Sequence, residues 1–127
     1  MKIAKKIILW VALSALLISI FSFTLTSRRL PSDLLERRLL ITTPLGTPMD
    51  DVLAFIRNKG WMIRMIDTSQ GFPDQRDDYQ RTGSRHIEVY MGSYQGIPWR
   101  RDITVYWGFN DNSQLVDIWV WKTADAL

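Results

Sequence analysis

Hydrophobic positions change their period several times along the chain, and each change predicts an element. From Ile7 to Leu25 nineteen residues carry no charge, broken only by Ser14, Ser19, Ser22 and Thr24. A helix of that length rises about 28 Å, close to the hydrocarbon thickness of a bilayer. A cleaved signal peptide would need small residues at the third and first positions before its cut, and the Thr-Leu-Thr-Ser of residues 24–27 offers no A-x-A pattern. Residues 1–27 therefore read as a membrane anchor, or uncleaved signal. "RRLPSDLLERRLL" follows. Pro31, then Ser32 as N-cap with Asp33 and Glu36 in the first turn, predict a short helical stalk over residues 28–43. Leu35 and Leu39, spaced i, i+4, can pack on the domain or on a neighbouring stalk, or simply tack a solvated linker.

"GTPMDDVLAFIRNKGW" carries the next signal. Thr47 is placed to cap, Pro48 suits the first helical position, Asp50 completes a capping box, and Gly60 supplies a left-handed stop. Met49, Val52, Leu53 and Ile56 form its apolar stripe. Past Gly60 the period falls to two. In "WMIRMID", Trp61, Ile63 and Met65 alternate with Met62, Arg64 and Ile66, apolar on both sides, which predicts a strand interior to a sheet. Residues 67–85 are polar with Gly, Pro and Asp and read as a long loop. "HIEVYMGSYQ" sets Ile87, Val89 and Met91 against Glu88 and Tyr90, and two more strands flank the turn sequence "NDNS". The predicted fold class is α+β: a transmembrane helix and stalk, then a domain over residues 44–127 with one or two helices on a three- to four-stranded antiparallel sheet.

The last hairpin, "VYWGFNDNSQLVDIWVWK", holds three of the six tryptophans. A two-residue turn at Asp111-Asn112 sets Phe109, Trp107, Val105 and Ile103 opposite Gln114, Val116, Ile118 and Val120, a face apolar enough to be the core. The other face pairs Tyr106 with Asp117, Thr104 with Trp119 and Asp102 with Trp121, and Tyr90 and Tyr94 extend it from the preceding strand. Aromatic rings mixed with acids suit protein recognition, so Tyr90, Tyr106, Asp117, Trp119 and Trp121 are the candidate binding residues. The competing expectation is that the stalk or the long loop covers this face.

Charge narrows the partners. The formal +3 is accounted for by Lys2, Lys5 and Lys6 ahead of the apolar run, so the rest of the chain is balanced. A balanced domain lacks the basic stripe of a nucleic-acid binder. The lysine-rich tail resists translocation, although Arg28, Arg29, Arg37 and Arg38 stand on the far flank. The chain is expected to cross the inner (cytoplasmic) membrane once, with its C-terminal domain outside the cytoplasm. With no cysteine there is no disulfide, lipoprotein acylation or thiolate metal site.

Catalytic chemistry has little to stand on, and neither cofactor nor metal is predicted. His86 is the single histidine, and "GSYQG" places its serine one position early for a nucleophile elbow. Asn110, Asn112 and Gln114 begin like a calcium loop, but Leu115 and Trp121 occupy its glycine and glutamate positions. Asp74, Asp77 and Asp78 are interleaved with Arg76 and Arg81 and read as a solvated charge cluster. Glu88, Asp102 and Asp117 are the only carboxylates placed to resemble a glycosidase pair.

The order helix then antiparallel sheet, with "GTPMDDV" and "FNDNSQLVDI", resembles the SmpA/OmlA-type small outer-membrane assembly lipoproteins and their relatives of β-lactamase-inhibitor-like fold. Gly46 stands six residues before Val52, and Phe109 six before Leu115, as in that family. The chain departs from it in having no lipobox cysteine, no L-G-x-P closing the helix, and Ser113 where the turn usually has Gly. The resemblance implies a noncatalytic envelope module that binds another protein. An inhibitor or immunity protein against an envelope-targeted toxin is the alternative, and a carbohydrate-active enzyme a third.

Overall fold

The computed structural model describes residues 4–14 and 30–125, without the side chain of Asp125. The chain divides into two units, Met1–Leu30 and Pro31–Leu127. In the first, residues 4–14 form a helix, α1; the remainder of the expected anchor over residues 1–27, residues 1–3 and 15–27, lies outside the described residues. Among the described residues no helix is long and apolar enough to cross a membrane.

The second unit is α+β. Its elements are α2 (Ser32–Thr42), α3 (Met49–Lys59), β1 (Met62–Asp67), β2 (Phe72–Asp74), a 3-10 turn (Gln75–Asp77), β3 (Gln80–Thr82), β4 (Arg85–Gln95), β5 (Arg100–Phe109) and β6 (Leu115–Asp125). Four strands form an antiparallel sheet in the order β1-β4-β5-β6, and β2 and β3 make a separate two-stranded sheet. α2 and α3 close one face. Leu35 and Leu39 from α2, with Met49, Val52 and Ile56 from α3, pack on Ile87, Val89, Val105 and Trp107 in one cluster. The stalk's two leucines are thus core residues. Trp107 is fully buried, and its indole Nε1 donates to the Thr43 hydroxyl at 3.3 Å.

Neither helix begins where its predicted cap would place it: α2 begins one residue earlier and α3 one residue later. α2 starts at Ser32 behind Pro31, and α3 at Met49 behind Pro48, with no side-chain cap at either. The Thr47 hydroxyl donates to the Pro44 carbonyl instead, while the Thr47 carbonyl accepts from Leu115 N–H and ties the approach to α3 onto β6. Gly60 ends α3 in the left-handed conformation, as its position predicts.

The hairpin register differs from the predicted one in a way that preserves the faces. Asn110 N–H donates to the Gln114 carbonyl and Ser113 N–H to the Asn110 carbonyl, so the loop has three residues rather than two, with Ser113 at φ 58°. Asn110 Oδ1 accepts from the N–H groups of Asn112 and Gln114, which holds that turn. A second irregularity follows, because Phe109 pairs with Leu115 but Gly108 with Asp117, leaving Val116 as the extra residue of a bulge. Together the two add one residue twice. Val105 therefore faces Val120, Trp107 faces Ile118, Tyr106 faces Trp119 and Thr104 faces Trp121. Inside and outside are as predicted for the tryptophans, whereas Gln114 and Val116 are exposed and Leu115 is buried.

Two further expectations are corrected. β1 is an edge strand, not an interior one, and a bulge at Arg64 turns Ile63 toward Val89 while Met65 pairs with Glu88 on the opposite face. A bulge between Tyr90 and Gly92 also reverses the end of β4, so that Tyr94 packs on the helix-side core and leaves the outer aromatic face. Trp107 sets the magnitude of the core: Trp107→Ala is expected to lower unfolding stability by about 3–5 kcal/mol, read from denaturant midpoints.

Candidate functional site

The face opposite the helices is a set of transverse rows fixed by strand register. One row runs Met62–Tyr90–Thr104–Trp121, the next Met65–Glu88–Tyr106–Trp119, and the third Asp67–His86–Gly108–Asp117. The β2–β3 segment covers the third row and half of the second. Phe72, fully buried, rests on Gly108, where an added Cβ would come within 2.8 Å of its ring carbon. Its ring lies 5.5 Å from Tyr106 and 6.1 Å from Trp119, and Trp119 in turn stacks on Trp121 at 5.7 Å. Aromatic rings offset at such distances attract beyond the area they bury.

The candidate residues divide accordingly. Tyr106 and Trp119 are buried, Trp119 to 7 % exposure, so the covered-face expectation holds for them. Trp121 keeps 37 % exposure and Met62 61 %. Tyr90 is half-buried beneath the Arg64 guanidinium, 4.5 Å from its ring centroid, and its hydroxyl donates to Asp102 at 2.8 Å. Asp117 does not pair with Tyr106. It sits at the rim, where Oδ1 accepts from Ile118 N–H and Oδ2 from Arg76 at 2.7 Å.

Arg76 holds the cover in place. It meets both oxygens of buried Asp74, at 2.9 and 3.0 Å, and reaches Asp117. It also comes within 3.8 Å of Glu36 on α2 and packs its guanidinium 5.7 Å from the Trp119 ring centroid. Glu36 accepts from Val120 N–H at 2.9 Å, closing part of the β6 edge. Asp74 is therefore committed to Arg76 and Thr82. Among the described residues no three His, Cys, Asp or Glu side chains are grouped to hold a metal.

A cleft of about 200 Å³ separates the cover from β1 and β4, with Met65, Gln70, Arg81, His86, Glu88 and Tyr106 among its walls. Tyr106 donates to Glu88 Oε1 at 2.8 Å, and burial, reinforced by that carboxylate, pushes its hydroxyl well above the usual phenol range. His86 is buried, with Nδ1 2.9 Å from the Gln70 carbonyl. A carbonyl only accepts, so Nδ1 carries a proton. No buried polar side-chain atom among the described residues lacks a partner. His86 lines the cleft together with Glu88 and Arg81. Glu88, Asp102 and Asp117 each carry a structural hydrogen bond or ion pair, from Tyr106, Tyr90 and Arg76 respectively.

Sequence reasoning offered the long loop as one of two possible covers for this face, but not which part of the face residues 68–84 would bury. The available signal was Phe72, a large apolar ring between Gly71 and Pro73 in an otherwise polar stretch. No protein family, curated protein or solved structure matches the chain.

Two predictions test the cover. Trp119→Ser is expected to lower stability by more than about 2 kcal/mol in a chemical melt, because it opens a cavity beneath Phe72. Burial raises the Glu36 carboxyl above its ordinary value, against the lowering pull of Val120 N–H and Arg76. A carboxyl with a raised folded pKa binds more protons folded than unfolded, so its ionised form costs stability at neutral pH and the cost fades as pH falls through the folded value. Burial also acts to raise Asp74, but hydrogen bonds from Arg76 and Thr82 outweigh it and leave the pKa lowered. Its stabilisation is present above the unfolded pKa and lost as pH falls through the folded one. Glu36→Gln, which keeps the bond to Val120, is expected to raise the melting temperature at pH 7, with the gain vanishing below about pH 4.

Proposed function

We propose that this chain is a membrane-anchored, noncatalytic envelope protein whose α+β domain binds another protein through the uncovered half of its outer sheet face. The observation that carries the reading is the row Met62–Tyr90–Thr104–Trp121, in which Met62 and Trp121 are exposed and Tyr90 half-buried around a buried Thr104, while the β2–β3 cover buries the neighbouring Tyr106 and Trp119. Methionine adapts to a partner's shape, and tryptophan and tyrosine supply contact area at low entropic cost. The stack of Trp121 on buried Trp119 preorganises the exposed ring. The cleft adds a polar margin lined by His86, Arg81 and Glu88. The uncharged run from Ile7 to Leu25 supports anchoring in the inner membrane, and the short lysine-rich tail before it supports a domain outside the cytoplasm. The resemblance of the helix-opening and hairpin motifs to assembly lipoproteins points to the same class.

The deciding experiment is cross-linked affinity capture from solubilised envelopes with the parent chain and Trp121→Ser. The variant should melt within about 1 kcal/mol of the parent, since its ring is a third open, and recover at least about tenfold less of the parent's specific partner. Equal recovery by both proteins would remove this face as the binding site.

A further inference from the structure

The end of the domain formed by the β4–β5 hairpin carries exposed apolar side chains that lie apart from the outer face. Between β4 and β5 the sequence Gly96-Ile97-Pro98-Trp99 carries no charge, and Ile97 is 96 % exposed, the most exposed large apolar side chain among the described residues. Trp99 is exposed beside it, and Arg100 and Arg101 follow directly. A bare aliphatic side chain, an indole and two guanidiniums in five consecutive positions match the layers of a bilayer interface, in which apolar groups enter, tryptophan sits at headgroup level and arginine meets lipid phosphate.

Strand register shows which end this is. Glu36 of α2 meets Val120, Thr43 meets Trp107, and Gly46 N–H donates to the Leu115 carbonyl. α2 therefore runs antiparallel to β6, and its first residue, Ser32, lies level with about Lys122. Arg100 pairs with Asp125, so the hairpin tip projects beyond that same end, roughly 10 Å or more past the start of α2 along the strands. The chain thus enters the domain at the end that bears the tip. Residues 26–30, the connector between the apolar run and Pro31, can span at most about 17 Å. That reach matches the tip's projection.

Charge at this end is compatible with an anionic surface. Arg100, Arg101 and Lys122 are joined by Arg28 and Arg29 in the connector sequence, against Asp33, Asp102 and Asp125. Asp102, largely buried, accepts from Tyr90 and lies 3.7 Å from the Arg100 guanidinium, which keeps more than half of its side-chain surface exposed.

We infer that the Ile97–Trp99 tip seats in the headgroup region of an anionic phospholipid bilayer, with Arg100 and Arg101 on lipid phosphates, and so fixes the orientation of the domain above the membrane. The seating rests on the anchored reading for its effective concentration and leaves the row of Met62, Tyr90 and Trp121 on the side of the domain, open to a protein partner.

The absence of cysteine allows single-site labelling of the full chain. An environment-sensitive fluorophore on Gln95→Cys, beside the tip, is compared with one on Asp111→Cys, in the turn at the opposite end, in phosphatidylcholine vesicles with roughly one part in four phosphatidylglycerol. Brominated lipids should quench the first label and leave the second unchanged. Adding Arg100→Gln with Arg101→Gln, or Ile97→Ser, should lower the seated-to-unseated ratio by roughly tenfold or more without changing the melt. A chain that resists alkaline extraction but whose label at 95 stays aqueous would overturn the seating and leave the anchor intact. A chain that is extracted yet still shows quenching at 95 alone supports the seating and removes the anchor. Equal quenching at both positions, or shielding at 95 only when envelope proteins are added, would also overturn it, the latter making the tip a protein contact.

Discussion

Phe72 against Gly108 is the contact on which the outer half of this domain depends. A strand residue without a side chain lets the ring lie directly on the β5 backbone, and any Cβ at that position would strike it. From there the ring reaches Tyr106 and Trp119, and burying such a side chain contributes about 1.5–3 kcal/mol. Phe72 is the one apolar side chain that the residues from Thr68 to Ser84 bury. With it they become a lid, and the outer face acquires a boundary: rings inside it are core, and rings outside it face solvent.

The lid is fixed at its far side by one guanidinium. Arg76 links Asp74 within the lid to Asp117 on β6 and approaches Glu36 on α2, so the elements covering the two faces of the sheet meet around a single edge. One cation among three carboxylates leaves an excess of negative charge. Burial adds to it at Glu36, whose carboxyl is raised, whereas Asp74, with the bidentate contact, is lowered. The same edge carries Val120 N–H, which Glu36 satisfies, so the acid that suffers most from burial also closes part of the exposed ladder of β6.

Much of this was legible from periodicity. The α3 stripe of Met49, Val52 and Ile56, the alternation of Ile87 and Val89, and the inward position of Trp107 depend on repeats of 3.6 and 2 that survive small changes of register. What periodicity does not carry is the insertion of single residues. Ser113 in the turn and Val116 in the bulge each shift the pairing of β6 by one, which cancels for the faces but moves every partner of Trp119 and Trp121. The bulge at Tyr90 and Gly92 does not cancel, and it takes Tyr94 to the other side. β1 was misplaced because apolar residues on both sides predict an interior strand, while here a bulge at an arginine lets Met62 and Met65 lie exposed on the edge. The division of the aromatic face was not legible at all, since it depends on a close approach of Phe72 to a glycine thirty-six positions away in the chain.

The boundary between the buried core and the open part of the outer face runs between the stacked rings of Trp119 and Trp121. This placement is tested most directly by recording the indole N–H resonances of the domain's tryptophans in the full chain with a soluble paramagnetic agent. Strong broadening is expected at Trp121 and little at Trp119 or Trp107, with Trp119 becoming as broadened as Trp121 when Phe72 is replaced by alanine. Equal broadening of Trp119 and Trp121 in the parent protein would contradict it.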